Sequence, residues 1–360
     1  MPPPAPATGP RRVLIVSDAW EPQVNGVVRT LRATATELRR TGRVVEVVGP
    51  GRFRTVPCPG YGSIPLAVLP GRRLGRMIEA FAPDALHVAT EGPLGRAARA
   101  WALRRGAPFT TAFHTRFPEY VRTRFGVPAR VSYAYLRRFH AAGNGVMVAA
   151  ESLRHELEGR GFRGIRPWSR GVDLGLFRPD ATAAEPAWPA SLPRPVFLYV
   201  GRLAVEKNVG AFLGPDLPGS KVVVGDGPQR AALRRRHPDA HFLGALHGAA
   251  LAAAYARADV LVFPSLTDTF GLVVLEALAC GTPVAAHPVT GPLDVLGGRR
   301  GIGAMDWELR DACLTALRAD RTACRAHAER FSWRASTEMF LANLVPIDAP
   351  NTTHRPARAG

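Results

Sequence analysis

The sequence predicts an α/β protein of two similar domains, each built on a parallel sheet. Three observations predict it. The chain has 360 residues, more than one ordinary core accommodates. Short apolar runs alternate with segments of helical spacing along both halves. A proline-rich stretch at residues 178–195 interrupts that alternation, which then restarts.

The first domain is expected over residues 1–177. RVLIVSDAW (12–20) reads as a buried strand ending in polar turn residues. EPQVNG (21–26) is a loop, and VVRTLRATATELRRTG (27–42) has helical spacing closed by Gly42. VVEVV (44–48), DALHVAT (84–90), PFTTAFHT (108–115) and GVMVAA (145–150) read as further strands, with helices after DALHVAT and at 151–162. Residues 178–194 are the expected linker. The second domain, 195–330, opens with PVFLYVG (195–201) and continues through SKVVVGDG (220–227), ADVLVFPS (258–265) and TPVAAHP (282–288). Amphipathic helices are expected around 307–320 and 331–344, and a C-terminal helix at 331–345 is expected to complete the first domain. Residues 346–360 are expected to be a disordered tail. The polar motifs fall at the carboxyl ends of strands, where open parallel sheets bind ligands.

Hydrophobic residues make up 46% and charged residues 21%, a globular composition. The start, MPPPAPATGPRR, lacks the apolar core of a secretory signal, and no uninterrupted apolar run of 18 residues exists. A cytoplasmic protein is expected, with any membrane contact peripheral. Cys58, Cys280, Cys313 and Cys324 form no CxxC pair, which argues against both a disulfide framework and a zinc knuckle. The net charge is +18, yet only Lys207 and Lys221 are lysines. The excess is lopsided: residues 1–180 hold 28 arginines against 13 carboxylates, whereas residues 181–360 hold 19 basic against 16 acidic side chains. A basic N-terminal half suits anionic lipid, phosphate or nucleic acid; a solvated, arginine-biased surface is the alternative.

Several motifs carry chemistry. In YVGRLAVEKN, Arg202 and Lys207 lie five apart across a turn after a strand, a placement that suits a diphosphate. In a chain that writes nearly every cation as arginine, Lys207 points to a need for a compact ammonium; a surface Glu206–Lys207 pair is the alternative. In VNGVVRT, Gly26 precedes a helix start, so its amide and those of Val27 and Val28 can face an anion. His114 lies just beyond a strand, in a polar cluster with Arg116 and Glu119, and could bond a sugar hydroxyl or the reaction centre. GDGP (225–228) and RGVD (170–173) are either plain turns or ligand loops.

PSLTDTFGLVVLEALACGTP (264–283) carries two acids, Asp268 and Glu276. If Thr269, Phe270 and Gly271 start a helix, its first amides, through Leu272, favour a phosphate. Asp268 could serve as a cap. Glu276 sits among Val273, Val274, Leu275, Ala277 and Leu278, which look buried, and a carboxylate there needs a partner.

Together these residues resemble the retaining glycosyltransferases of family four, which have the GT-B architecture of two Rossmann-like domains facing a central cleft. GRLAVEKN, VGDGP and PSLTDTFGLVVLEALACGTPVAA, in that order, carry the likeness over residues 12–345. SDAWEPQVNGVVRTL, HVATEGPLG, FHTRFPEYV and GPLDV resemble the bacterial subgroup of mannosyl- or glucosyltransferases that act on lipid acceptors. The resemblance implies that Arg202 and Lys207 bind the donor diphosphate with the backbone of Phe270, Gly271 and Leu272. Glu276 would hold the ribose and Asp268, standing where the family usually has Glu, the hexose. Gly26 would border the phosphates and His114 the anomeric carbon. It implies no metal and no cofactor, retention by front-face attack, and a nucleotide-sugar as donor.

The expected function is therefore transfer of a hexose from a GDP- or UDP-sugar to a hydroxyl of a membrane lipid. The basic-aromatic segments 121–140 and 70–81 suit an anionic membrane surface. A soluble saccharide or small-molecule acceptor is the second reading. A basic nucleic-acid-binding protein is the third, and no nucleic-acid module supports it.

Overall fold

A computed structural model describes residues 9–23, 25–58, 61–181, 188 and 191–348. It divides into two compact units. The first runs to Ser169 and resumes at Trp333; the second is Arg170–Ser332.

The first unit begins with β1 (Arg12–Val16), α1 (Gly26–Arg40) and β2 (Val44–Val48). An antiparallel pair follows, β3 (Thr55–Cys58) and β4 (Tyr61–Ala67), then α2 (Gly71–Phe81), β5 (Ala85–Val88) and α3 (Pro93–Arg105). Next come β6 (Thr110–Ala112), α4 (Phe117–Phe125), α5 (Ala129–His140), β7 (Val146–Val148), α6 (Glu151–Gly159) and β8 (Ile165–Pro167). The main sheet is parallel throughout, in the order β2-β1-β5-β6-β7-β8. β1 has an unbroken apolar run because both its faces are covered. Val13 and Ile15 pack with Leu31, Ala35 and Leu38 of α1, whereas Leu14 and Val16 pack with Leu74 and Ile78 of α2 and Ala98 of α3. The β3–β4 pair escapes a pattern reading because Pro57 and Pro65 sit opposite one another in it, and proline ordinarily demotes a strand.

The second unit holds β9 (Val196–Val200), α7 (Val209–Leu213), β10 (Ser220–Val224), α8 (Arg230–Arg236), β11 (His241–Gly244), α9 (Gly248–Arg257) and β12 (Val260–Phe263). It continues with α10 (Leu272–Ala279), β13 (Val284–Ala286), α11 (Pro292–Leu296), β14 (Gly303–Met305), α12 (Leu309–Ala316) and α13 (Arg321–Ala328). Its sheet is also parallel, in the order β11-β10-β9-β12-β13-β14. That is the doubly wound Rossmann order, which reverses direction between β9 and β12.

The division at Ser169/Arg170 falls ahead of the expected boundary at 177. Val172 N donates to Phe331 O at 3.0 Å, Arg325 Nη1 donates to Phe177 O at 2.8 Å, and the Phe177 ring stands edge-on to Tyr255. These contacts tie residues 172–177 to the second unit. The last helix, α14 (Trp333–Asn343), returns to the first unit: Phe340 is fully buried against Trp168 and His87. Of the expected tail, Pro346 bridges Ala85 and Ile347 N donates to Asp84 O at 2.8 Å, so the chain is still held there. Residues 349–360, and 182–187 and 189–190 of the expected linker, lie outside the described residues. All four cysteines are free thiols, and burial pushes Cys280, Cys313 and Cys324 up to about 12. Among the described residues no helix is long and apolar enough to cross a membrane.

Phe340→Ala removes the aromatic plug that docks α14 on the first sheet. It should cost about 3–5 kcal/mol, the range for large-to-small changes in a packed core. Urea denaturation followed by intrinsic fluorescence measures this; a loss below about 1 kcal/mol would show that α14 does not anchor the first unit.

Candidate functional site

In the second unit the loops after β9 and β12 meet at the strand-order reversal. The β9 loop is tightly braced. Tyr199 OH donates to Arg202 O at 2.9 Å, Leu203 N to Asp226 O at 2.9 Å, and Gln229 N to Leu203 O at 2.9 Å. GDGP is therefore a clamp for this loop. A Cβ at Gly225 would lie 1.8 Å from Gly201 O, and one at Gly227 would lie 2.5 Å from Leu203 O, so only glycine permits the approach. Asn208 takes a left-handed conformation (φ 51°), and its Nδ2 donates to Pro264 O at 3.2 Å, which stitches the β9 loop to the β12 loop.

That stitch brings Lys207 onto Asp268. Lys207 Nζ donates to Asp268 Oδ1 at 2.5 Å, with both side chains largely covered. Asp268 Oδ2 is buried and accepts no hydrogen bond among the described residues. An acceptor oxygen in that state is poised for a donor from outside the chain. The alternative of a surface Glu206–Lys207 pair is not what forms. Arg202 is exposed on the same loop.

The helix after β12 starts later than its sequence suggests. Residues 269–271 bend, Gly271 turns left-handed (φ 82°), and α10 begins at Leu272. Phe270 is buried, its ring 6.4 Å from that of Phe331, so only its backbone is left for a ligand. Val274 N already donates to Gly271 O at 3.0 Å, so in the first turn of α10 the amides of Leu272 and Val273 are those that lack an intrahelical acceptor by geometry. Glu276 is 3% exposed, and Tyr255 OH donates to its Oε2 at 2.9 Å. The partner that its apolar company demanded is thus a tyrosine of α9.

In the first unit, Gly26 opens α1, but Asn25 caps the helix: its Oδ1 accepts from Val28 N at 3.0 Å. The expected trio of anion-facing amides therefore loses Val28. His114 follows β6, is largely buried, and meets Trp168 edge-on at 5.4 Å. Arg116 pairs with Glu156 at 2.7 Å, and Glu119 Oε1 accepts from Tyr133 OH at 2.7 Å.

Sequence reasoning missed Asp18, at the carboxyl end of β1. This buried carboxylate accepts from Leu94 N (2.8 Å), Gly95 N (3.3 Å) and Thr90 Oγ1 (2.8 Å). Burial holds its carboxyl above the usual value against the pull of those bonds. It also missed the neighbouring pair Glu91 and His140, 3.2 Å apart. The available signal was an acid directly after a buried strand in SDAW and another in TEGP. Among the described residues no three His, Cys, Asp or Glu side chains converge to hold a metal ion.

Comparison with known proteins decides the class. The family model "Glycosyltransferase Family 4" matches residues 24–176, and "Glycosyl transferases group 1" matches residues 194–318. A GDP-mannose-dependent alpha-mannosyltransferase of Mycobacterium tuberculosis is 34% identical, over 95% of this chain and 98% of its own. This chain belongs to glycosyltransferase family 4. The sulfoquinovosyl transferase SQD2 of Arabidopsis thaliana is 31% identical over 80% of this chain and 61% of its own. Among solved structures, sucrose-phosphate synthase from Thermosynechococcus elongatus superposes with a TM-score of 0.72 at 21% identity, over 92% of this chain and 97% of that one. Anabaena HepE in complex with UDP and glucose gives 0.65 at 14% identity, over 92% and 98%. The fold of this glycosyltransferase is GT-B, and its two Rossmann-like units are those described above.

Tyr255→Phe deletes the hydroxyl that bonds the buried Glu276. It should cost about 1–3 kcal/mol, as expected when a buried acceptor loses its donor. Denaturant titration against the parent measures it, and an unchanged midpoint would show that Glu276 draws nothing from Tyr255.

Proposed function

We propose that this family-4 glycosyltransferase moves a hexose from a GDP- or UDP-sugar to a hydroxyl of a membrane-lipid acceptor, with retention and without a metal. GDP-mannose is the first donor to test, because three relatives carry GDP-mannose-dependent alpha-mannosyltransferase in their names. The observation that carries the reading is the Lys207–Asp268 contact at the strand-order reversal, with Asp268 Oδ2 buried beside a lysine.

In this reading Lys207 and Arg202 hold the diphosphate, assisted by the first amides of α10. Asp268 Oδ2 takes donor-sugar hydroxyls. Glu276 takes the ribose diol, with Tyr255 fixing its other side. Gly26 and His114, from the first unit, border the phosphates and the anomeric carbon. The anomeric C–O bond to the diphosphate breaks while the bond to the acceptor oxygen forms on the same face. The acceptor proton passes to the departing phosphate oxygen. Fixed cations stabilise the charge that develops on the leaving group, so the protein's part is electrostatic and positional.

A peripheral site on the inner face of the cell membrane completes the proposal, and its support differs from the sequence expectation. The apolar face of α2 is not available to lipid, because Leu74, Gly75 and Ile78 are buried. In α5, Tyr133, Leu136 and Phe139 are likewise core. Exposed apolar side chains remain at Val131 and Tyr135 of α5 and at Leu69, which is 92% exposed and held left-handed (φ 45°) just before α2. Beside it lies a groove of 370 Å³ lined by Arg72, Arg76, Arg104 and Arg105. Arg105 is neutralised by Glu79, whereas Arg72, Arg76 and Arg104 have no carboxylate partner among the described residues. An apolar tip ringed by unneutralised arginines suits an anionic bilayer surface.

Two measurements test the proposal. One nucleoside diphosphate among GDP, UDP and ADP should raise the thermal midpoint, by the equivalent of about 2.7 kcal/mol at a hundredfold excess over Kd. Lys207→Ala should weaken that binding by about tenfold or more, the loss of one charge-assisted contact. No shift with any nucleotide would remove the donor site from this cleft of loops. In vesicle sedimentation, the protein should pellet with phosphatidylglycerol-containing vesicles and not with pure phosphatidylcholine. The double change Arg72→Gln, Arg76→Gln should lower partitioning about thirtyfold, at about 1 kcal/mol per arginine. Equal pelleting with both vesicle types would defeat the electrostatic account.

A further inference from the structure

The donor machinery leaves a second set of buried polar groups unused. It lies in the first unit, at the carboxyl ends of β1 and β5, adjacent strands where that sheet's order reverses. The corresponding ends in the second unit offer cations. Here the loops offer carboxylates, Asp18 after β1 and Glu91 after β5.

The two acids are built differently. Glu91 stands just before α3, next to its N-cap Gly92, where a carboxylate would ordinarily bond the first amides. Asp18 already occupies that position, with both of its oxygens on the amides of Leu94 and Gly95. The approach is so close that a Cβ at Gly92 would lie 2.5 Å from the Asp18 carboxyl carbon. Glu91 is thereby released from capping, and a histidine takes hold of it. His140 is buried among Phe113, Phe139 and Phe162. Its Nε2 donates to Glu91 Oε1 at 3.2 Å, and its Nδ1 lies 2.9 Å from Thr111 Oγ1. Tyr135 OH, half-exposed on α5, donates to the Glu91 carbonyl at 3.2 Å. The Glu91 backbone and one carboxylate oxygen are therefore fixed. Its Oε2 makes no bond to the described protein, and 22% of the side chain remains open. A half-open carboxylate oriented by a buried histidine has the form of a ligand-binding acceptor group: one oxygen is anchored and the other offered.

We propose that Glu91 orients the sugar acceptor of this enzyme by accepting a hydrogen bond from one of its hydroxyls, and that His140 is its positioning residue. This rests on the glycosyltransferase reading above, in which the second unit is taken up by the donor. The class of acceptor group follows from the charge. The α3 amides, a natural phosphate site, are consumed by Asp18. A phosphate seated there would face two carboxylates. The group received at Glu91 is a hydroxyl of a sugar or polyol ring, not a phosphate-bearing ring.

The test uses the full chain, with the donor nucleotide that stabilises it. Octyl β-D-glucopyranoside and octyl α-D-mannopyranoside serve as acceptor probes, and inositol 3-phosphate as the phosphate-bearing one. Wild-type enzyme should transfer to an octyl glycoside with a lower KM than to inositol 3-phosphate. Glu91→Gln keeps the shape and the capacity to bond His140 but removes the charge. It should raise the acceptor KM about tenfold, equivalent to about 1.4 kcal/mol, with kcat less affected and both the thermal midpoint and its nucleotide shift retained. His140→Gln should raise the same KM by a smaller factor. A strut holding α3 to α5 would behave otherwise: the Glu91→Gln midpoint would fall and the KM would stay within twofold of wild type. That result overturns the proposal, as does a preference for inositol 3-phosphate. Octyl glycosides that are neither turned over nor bound, by saturation-transfer NMR, while the nucleotide shift persists, overturn it too. Absence of the nucleotide shift itself marks failure of the donor reading instead.

Discussion

A parallel sheet covered by helices on both faces makes an unpaired polar side chain within its strands costly, so polar groups collect where the strands end. β1 and β12 are buried along nearly their whole length. The first polar residues after them, Ser17 and Asp18 in one unit and Ser265, Thr267 and Asp268 in the other, cluster at the carboxyl ends. Each sheet reverses its strand order once, between β1 and β5 in the first and between β9 and β12 in the second, which parts the flanking helices and opens those ends. The donor site and the acceptor group proposed above are both arranged around such reversals.

The two reversals are furnished with opposite chemistry. In the second unit the β9 loop is locked by GDGP from one side and by Asn208 from the other, and the result is a lysine seated on an aspartate. In the donor role proposed for this loop the rigidity matters, because a diphosphate is met by charges already in place, whereas a flexible lysine would lose side-chain entropy on binding. In the first unit the helix amides are already answered by Asp18, so the remaining carboxylate is presented outward on a histidine support. Under the proposed reading, a transferase that joins an anionic donor to a hydroxyl-bearing acceptor uses both kinds of surface, one from each unit.

Burial also explains why polar residues in this chain so often come in braced pairs. Glu276 with Tyr255, Glu119 with Tyr133, and His140 with Thr111 each place a costly group beside a donor or acceptor from another helix or strand. In the Glu119 case the burden falls on the tyrosine: burial and the neighbouring carboxylate push its hydroxyl up, away from ionisation. Such pairs link elements far apart in the chain, so one bond both satisfies a buried group and orients two segments.

Local pattern was enough for much of this. The alternation of apolar runs with helical spacing determined two parallel α/β units, because strand burial and helix amphipathicity are written in consecutive residues. Lysine scarcity singled out Lys207, and the apolar neighbours of Glu276 demanded a partner for it. Other features depended on residues that meet only after folding. The unit boundary at Ser169 follows from Val172 pairing with Phe331, a contact across more than half of the second unit's chain. The late start of α10 depends on Gly271 turning left-handed over Phe263. The roles of Asp18 and Glu91 depend on a helix start some 75 residues downstream of β1 and a histidine on another helix. Sequence by itself determined which residues must be buried and which segments must be regular, since those follow from local periodicity. Tertiary structure alone decided which polar groups satisfy one another and which oxygens are left without a partner among the described residues, because hydrogen-bond partners are chosen by position in space.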